Sequence, residues 1–371
     1  MKIAFLKKRF NPYGGAERYL SHLLGLLRGE RHKIFLITSE WGETGGVEIV
    51  KVNIRKGTSL ISITDYQRKA IEALRQVSPD CSVSLERIYG TDIYRAGDGC
   101  HKRFLQIRRK TEGFLKGLSF KINPLHRKIL KTEEAIFRTT PRIIANSTMV
   151  KRDILESYQN IDSEKIEVIY NGVDLEEFAP GGVSDRTALR ERFGLSGKAE
   201  VILFIGSDYR RKGLKTLLEA MGSIKRQSTY LLVVGRGRRE NYRRLLHRLG
   251  LEERVIFAGP QTEPGPFYRG ADIFVLPTLY DPFSNATIEA LASGLPVITS
   301  QNNGASEIIS HNEDGYILDD PGDSSRLAEY IIRALDERKE MGGNARQKAE
   351  SYPIEKSLKA FMKTIEEWRR E

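Results

Sequence analysis

The chain has 371 residues, 40% of them hydrophobic and 29% charged, a balance that fits a globular protein of two domains with full cores. No apolar run approaches the roughly 18 residues of a membrane span. Two cysteines, Cys81 and Cys100, make neither a disulfide framework nor a metal pattern, so a reducing cytoplasm is expected, and the formal charge of +11 favours anionic partners.

Met1 leads straight into "KIAFLK", which reads as a strand and not as a secretory signal. Gly14-Gly15 in the following "NPYGGAERY" opens a helix, where residues without side chains let backbone approach a phosphate or sugar, although a simple tight turn is the plainer reading of a lone Gly-Gly. "HKIFLIT", "VEIVKVNI" and "CSVSL" are the next strands. A basic stretch then runs from His101 to Lys131, with Glu112 its only acid. Lys102, Arg103, Arg108, Arg109 and Lys110 interleave there with Phe104, Ile107, Phe114 and Leu115. Such a pattern suits an anionic membrane surface or a polyanion, nucleic acid included, and also a solvated face over a buried stripe. "RIIANS" is the last strand before "YNGVDLEEFAPGGVSD", where Gly, Pro and Asp mark the break between halves.

The second half repeats the alternation with "VILFIGS", "YLLVVG", "VIFAG", "DIFVLP" and "PVITS". Continuous apolar strands separated by helices imply parallel sheets covered on both faces, and two such sets imply two doubly wound α/β domains. Ligands of these sheets bind outside the carboxyl ends of the strands. After the first strand of this half comes "DYRRKG", where Arg210, Arg211 and Lys212 would repel one another without a counter-anion; a diphosphate suits them. After "DIFVLP" comes "DPFSNATIEALASGLPVITS". Helical periodicity starts near Ser284, so Asp281 lies on the loop and Glu289 about a turn and a half inside the helix. The N–H groups of Phe283, Ser284 and Asn285 are the unpaired donors of that first turn, a ready anion site. A long helix follows Pro353.

"DPFSNATIEALASGLPVI" resembles the E-x7-E motif of the family 4 retaining glycosyltransferases, with Asp281 in place of the first Glu. "GSDYRRKG", "VVGRGR", "RVIFAG", "ADIFVLPT" and "NGASEIISHNEDGYIL" resemble further landmarks of that family in its order. The resemblance implies the GT-B fold: two doubly wound Rossmann-like domains facing across a cleft, with the C-terminal helix crossing back to the N-terminal domain. The implied bounds are 1–172, 173–352 and 353–371. "NPYGGAERY", "AGDGCHKRF" and "GSDYRRKG" are most similar to the branch that adds glucose to heptose of the lipopolysaccharide inner core.

Carried over, the resemblance gives Glu289 the ribose hydroxyls of a UDP-sugar and Asp281 a hydroxyl of the donor sugar. The loop Pro282–Ala286, through Phe283, Ser284 and Asn285, meets the sugar and β-phosphate. Arg211 and Lys212 neutralise the diphosphate, so no cofactor and no metal is expected. Gly14 and Gly15 pack against the diphosphate, and His101 with Asp98 beside it lies near the donor sugar. Ser207 stands where many members have Arg, which leaves Arg210 or Arg211 to take that role. The implied chemistry is front-face substitution, with the leaving phosphate taking the acceptor's proton. Lys102, Arg103, Phe104, Arg108, Arg109 and Lys110 would form the acceptor-side surface of an enzyme peripheral to the inner face of the plasma membrane. Other donors (UDP-N-acetylglucosamine, UDP-galactose, GDP-mannose) are the nearest alternatives. A nucleotide-sugar 2-epimerase shares the fold but not the Arg-Arg-Lys and Asp-x7-Glu pair, and a nucleic-acid-binding protein would leave the second-half loops unexplained; no nucleic acid partner is expected.

Overall fold

The computed structural model describes residues 1–9, 15–28, 32–41 and 46–368. Gly14 lies outside the described residues, as do the side chains of Phe114 and Leu115, and of Gly15 only the backbone is described. The chain divides into two compact units, Met1–Tyr170 with the stretch from Ser357 onward, and Asn171–Lys356.

In the first unit the strands are β1 (Lys2–Leu6), β2 (Lys33–Thr38), β3 (Glu48–Lys51), β4 (Cys81–Ser84), β5 (Ile93–Arg95), β6 (Arg142–Ala145) and β7 (Ile166–Val168). They pair in the order β3-β2-β1-β4-β5-β6-β7, every pair parallel. Helices α1 (Gly15–Arg28), α2 (Ser59–Val77), α3 (His101–Glu112), α4 (Phe114–Ile122), α5 (Pro124–Thr139) and α6 (Thr148–Ser157) connect them. The central strand β1 is apolar along Ile3–Leu6 and wholly buried there, as a strand covered on both faces must be.

The second unit has β8 (Glu200–Ile205), β9 (Thr229–Val234), β10 (Val255–Gly259), β11 (Ile273–Leu276), β12 (Val297–Ser300) and β13 (Gly315–Leu318). Their order, β10-β9-β8-β11-β12-β13, is again all parallel. The helices are α7 (Val183–Arg192), α8 (Leu214–Ser223), α9 (Arg243–Leu249), α10 (Gly265–Gly270), α11 (Asn285–Ala292), α12 (Ser324–Asp336) and α13 (Arg338–Ala349), followed by α14 (Ile354–Trp368). From Ser357, α14 belongs to the first unit. Ser357 Oγ donates to Tyr170 O at 2.7 Å, Thr364 Oγ1 donates to Glu167 Oε2 at 2.8 Å, and Phe361 packs edge-on to Tyr19.

Each sheet reverses its winding once, between β1 and β4 in the first unit and between β8 and β11 in the second. Loops at the carboxyl ends of those strands diverge to opposite faces and leave a crevice, so ligand groups are expected there.

Candidate active site

The two loops at the second switch point are tied together by their backbones. Leu279 N donates to Arg211 O at 2.8 Å, and Thr278 Oγ1 donates to the same oxygen at 3.0 Å. Gly213 makes the approach possible: its φ is +82°, and a Cβ there would collide with the Pro277 carbonyl oxygen. Gly213→Ala should therefore cost about 2 kcal/mol or more, through left-handed strain plus the clash, and urea unfolding measures it.

This junction delivers three charged groups to one point. Asp281 is 5% exposed and Lys212 8%. Lys212 Nζ is paired with Asp281 Oδ2, and Arg211 Nη1 reaches the same oxygen at 3.1 Å and Tyr280 O at 2.9 Å. Burial opposes the charged form of Asp281, but Lys212 and then Arg211 outweigh it, and the carboxyl is held below its usual value. Burial pulls Lys212 down, with Asp281 working against it. The outcome is an ionised carboxylate beside two cations. Arg210 is exposed, and its charge acts on the Tyr242 phenol.

Ser284 stands in the N-cap position of α11 without a side-chain cap bond, and the helix starts at Asn285, near Ser284 as expected. Its N–H, however, is not open to a ligand. Ser284 N donates to Asn303 Oδ1 at 3.1 Å, and the wholly buried Asn303 is fixed by Thr287 and Thr299 at 3.0 Å each. What Ser284 has to offer is its hydroxyl, buried and without a hydrogen-bond partner. The Asn285 side chain accepts from Asn171 Nδ2 at 2.7 Å. Asp281 is clamped through its own backbone, N to Asn302 O and O from Gly304 N, both at 2.9 Å. Glu289 is 5% exposed, and Tyr268 O–H donates to its Oε2 at 2.8 Å. Asn303 begins the stretch "NGASE", so a local signal existed for it; nothing in "GPFYRG" singles out Tyr268.

In the first unit, α3 begins without a side-chain cap of its own. Glu133 of α5, wholly buried, does the capping: it accepts from His101 N at 2.8 Å and Lys102 N at 3.3 Å, and also from Tyr158 O–H and Arg87 Nε. His101 Nε2 lies 3.0 Å from His126 Nδ1. Burial, then Arg87, pulls the His101 pKa to about 3, so the ring is neutral at physiological pH. Asp98, three residues before His101, pairs with Arg87 at 3.2 Å.

The basic surface needs a larger correction. Lys102 donates to Ser157 O and lies over the Tyr158 ring, Arg103 pairs with the buried Asp153 at 3.5 Å, and Arg108 binds Glu112 through Nη2 at 2.9 Å while lying over Phe120. Phe104 is half-buried beside His101. Of the five cations read as one surface, Arg109 and Lys110 are the exposed ones. The exposed apolar groups lie on α4 instead, Leu118 at 47% and Ile122 at 70%, with Lys121 and Arg127 exposed nearby. Among the described residues no helix is long and apolar enough to cross a membrane, and no group of three or more His, Cys, Asp or Glu could hold a metal ion.

The chain is similar to the lipopolysaccharide glucosyltransferase WaaG of Escherichia coli, 23% identical over 95% of this chain and 96% of that protein. The crystal structure of WaaG, a glycosyltransferase involved in lipopolysaccharide biosynthesis, has the same fold, with a TM-score of 0.85 at 22% identity over 98% of this chain and 99% of that one. Anabaena HepE in complex with UDP-glucose also shares it, at 0.76 and 20% identity, over 99% of this chain and all of the other. A D-inositol 3-phosphate glycosyltransferase of Catenulispora acidiphila is 31% identical, over 57% of this chain and 53% of that protein. Glycosyltransferase Family 4 matches residues 13–177, and glycosyl transferases group 1 matches residues 185–351. Together these two domains take up most of the chain, and the protein belongs to the glycosyltransferases built from that pair.

Proposed function

We propose that the protein moves glucose from UDP-glucose to a heptose of the lipopolysaccharide inner core, with retention and without a metal, at the cytoplasmic face of the membrane. The observation that carries this reading is the pairing of Asp281 with Lys212 and Arg211, one turn before a helix that contains Glu289. Similarity to WaaG over nearly the full length supports the acceptor, and the UDP-glucose complex of HepE supports the donor.

Glu289, oriented by Tyr268, takes the ribose hydroxyls. Lys212 and Arg211 receive the diphosphate, and Asp281 positions a sugar hydroxyl between them. The anomeric C–O bond to the β-phosphate breaks as the acceptor oxygen bonds on the same face. The acceptor's proton passes to the leaving phosphate oxygen, and UDP departs. Asp281 already accepts from two cations, which suits a positioning role better than that of a nucleophile. Charge growing on the diphosphate is stabilised by groups already in place.

UDP release, measured with purified inner-core lipopolysaccharide across UDP-glucose, UDP-N-acetylglucosamine, UDP-galactose and GDP-mannose, tests the donor. UDP-glucose should lead by about tenfold or more, as a site built to hydrogen-bond a hydroxyl discriminates. Another sugar in the lead would reassign it. Activity should survive EDTA, because Lys212 and Arg211 supply the positive charge; a strict divalent requirement contradicts the clamp.

For the membrane, Arg109, Lys110, Lys121 and Arg127 on α3–α5 are exposed, as are Leu118 and Ile122 of α4. Each cation near an anionic surface contributes about 1 kcal/mol, diminished by salt. The protein should sediment with vesicles containing anionic lipid and be released at high salt. Replacing the four by Gln should abolish sedimentation and leave UDP affinity intact. Persistent sedimentation of that variant would leave the α3–α5 face a solvated one.

A further inference from the structure

The second unit holds a cavity of about 450 Å³ that no step of sugar transfer uses. Ala271 and Asp272, just before β11, and Ser293–Leu295, just before β12, form part of its wall. It therefore lies at the amino ends of these strands, while the donor loops leave their carboxyl ends.

Cations outnumber acids in its wall, which includes Arg186, Arg338 and Lys339. The carboxylates there, Asp272 and Asp336, are both engaged. Asp336 is held by Arg226 through both oxygens at 2.8 Å. The buried Asp272 takes Arg190 at 2.7 Å, the N–H of Val201 at 2.7 Å, Arg186, and Arg338 at 3.5 Å. Three guanidiniums thus share a single carboxylate. Arg186 is pulled below its ordinary value by burial and then by Arg338, and Arg190 by burial and then by both neighbours. Arg338 and Lys339 are also the first two residues of α13, whose Glu340 and Met341 N–H groups already donate to the Glu337 carbonyl at 3.1 Å each, so side chains supply what the wall offers. Ser293 adds a buried hydroxyl with no hydrogen-bond partner. Excess guanidinium and an unpaired hydroxyl are groups that recognise a phosphate. The volume falls in the range of small-molecule sites, about 300–1,000 Å³.

We infer that this cavity is a second anion site that binds the phosphate group of a small phosphorylated molecule, held by Arg186, Arg338, Lys339 and Ser293. It is independent of the donor reading.

Calorimetric titration of the intact protein with inorganic phosphate tests it, with Lys212→Gln as the control that disables the donor loops. Saturable binding is expected in both proteins. R338Q/K339Q should weaken it by about tenfold or more, as loss of two charge-assisted contacts predicts. Lys339→Glu, an exposed change that cannot disturb the core, should weaken it as well. The inference fails if no saturable binding is seen, if both wall variants bind phosphate as the parent does, or if Lys212→Gln alone removes the binding.

Discussion

Glu289→Ala should abolish measurable UDP binding while leaving the protein folded. The carboxylate is 5% exposed, and Tyr268 O–H holds its Oε2 at 2.8 Å, so its orientation is fixed before any ligand arrives. Two charge-assisted bonds to ribose hydroxyls at such a site are together worth about 3–5 kcal/mol, or roughly a hundred- to several-thousand-fold in affinity. Folding should suffer little. Alanine is the best helix former, and removing a buried carboxylate also removes its desolvation cost. Tyr268 keeps a second acceptor, the Ala286 carbonyl at 3.3 Å. Tyr268→Phe is the companion: the carboxylate stays but loses its guide, and affinity should fall by about tenfold, one neutral-to-charged hydrogen bond. Calorimetry with UDP, alongside a thermal melt, measures both. Unchanged affinity in a folded Glu289→Ala protein would remove the nucleotide from this helix.

The second unit's site was legible because its parts are local in sequence. Helical periodicity from Ser284 places Glu289 inside a helix and Asp281 on the loop before it, and the helix found is Asn285–Ala292 with Ser284 at its cap. Clustered cations between a buried strand and a glycine similarly announce an anion partner. What stayed hidden depends on residues far apart in the chain. Asn303 takes the N–H of Ser284 from nineteen positions away, and Glu133 caps His101 from thirty-two. Asp98 is the acid nearest His101 in sequence, yet it pairs with Arg87. The basic stretch misled for the same reason: its amphipathic pattern reads as one membrane-facing surface, but Asp153 and the Ser157 carbonyl, both on α6, turn Arg103 and Lys102 inward. The strands β5 and β7 are three residues long, too short for a periodicity of their own.

Lys212→Ala should lower turnover with UDP-glucose by about a hundred- to a thousandfold while barely changing the affinity for uridine. In the proposed donor complex the ammonium would meet the phosphates and not the base or ribose, and its contact would strengthen as the sugar–phosphate bond breaks, where removing one preorganised donor costs about 3–4 kcal/mol. A second consequence follows from the buried pair. Burial alone would raise the Asp281 carboxyl; Lys212 and Arg211 reverse that and hold it below its ordinary value. A depressed carboxyl contributes stability that is present above the unfolded carboxylate range and lost as pH falls through the folded value. Without Lys212 that value rises, so the variant should lose stability and activity at a higher pH than the parent as the solution is acidified. Arg211→Ala should show the same shift more weakly, since Arg211 is 28% exposed in its side chain against 10% for Lys212. Lys212→Arg should not restore the parent rate. The lysine stem packs against Gly206, where even a Cβ would stand 3.0 Å from Lys212 Cγ, and a guanidinium needs more room than an ammonium. Single-turnover rates with UDP-glucose, uridine affinities and acid melts separate these effects. Equal losses for uridine and for UDP-glucose would make Lys212 a structural partner of Asp281, with no share in the transition state.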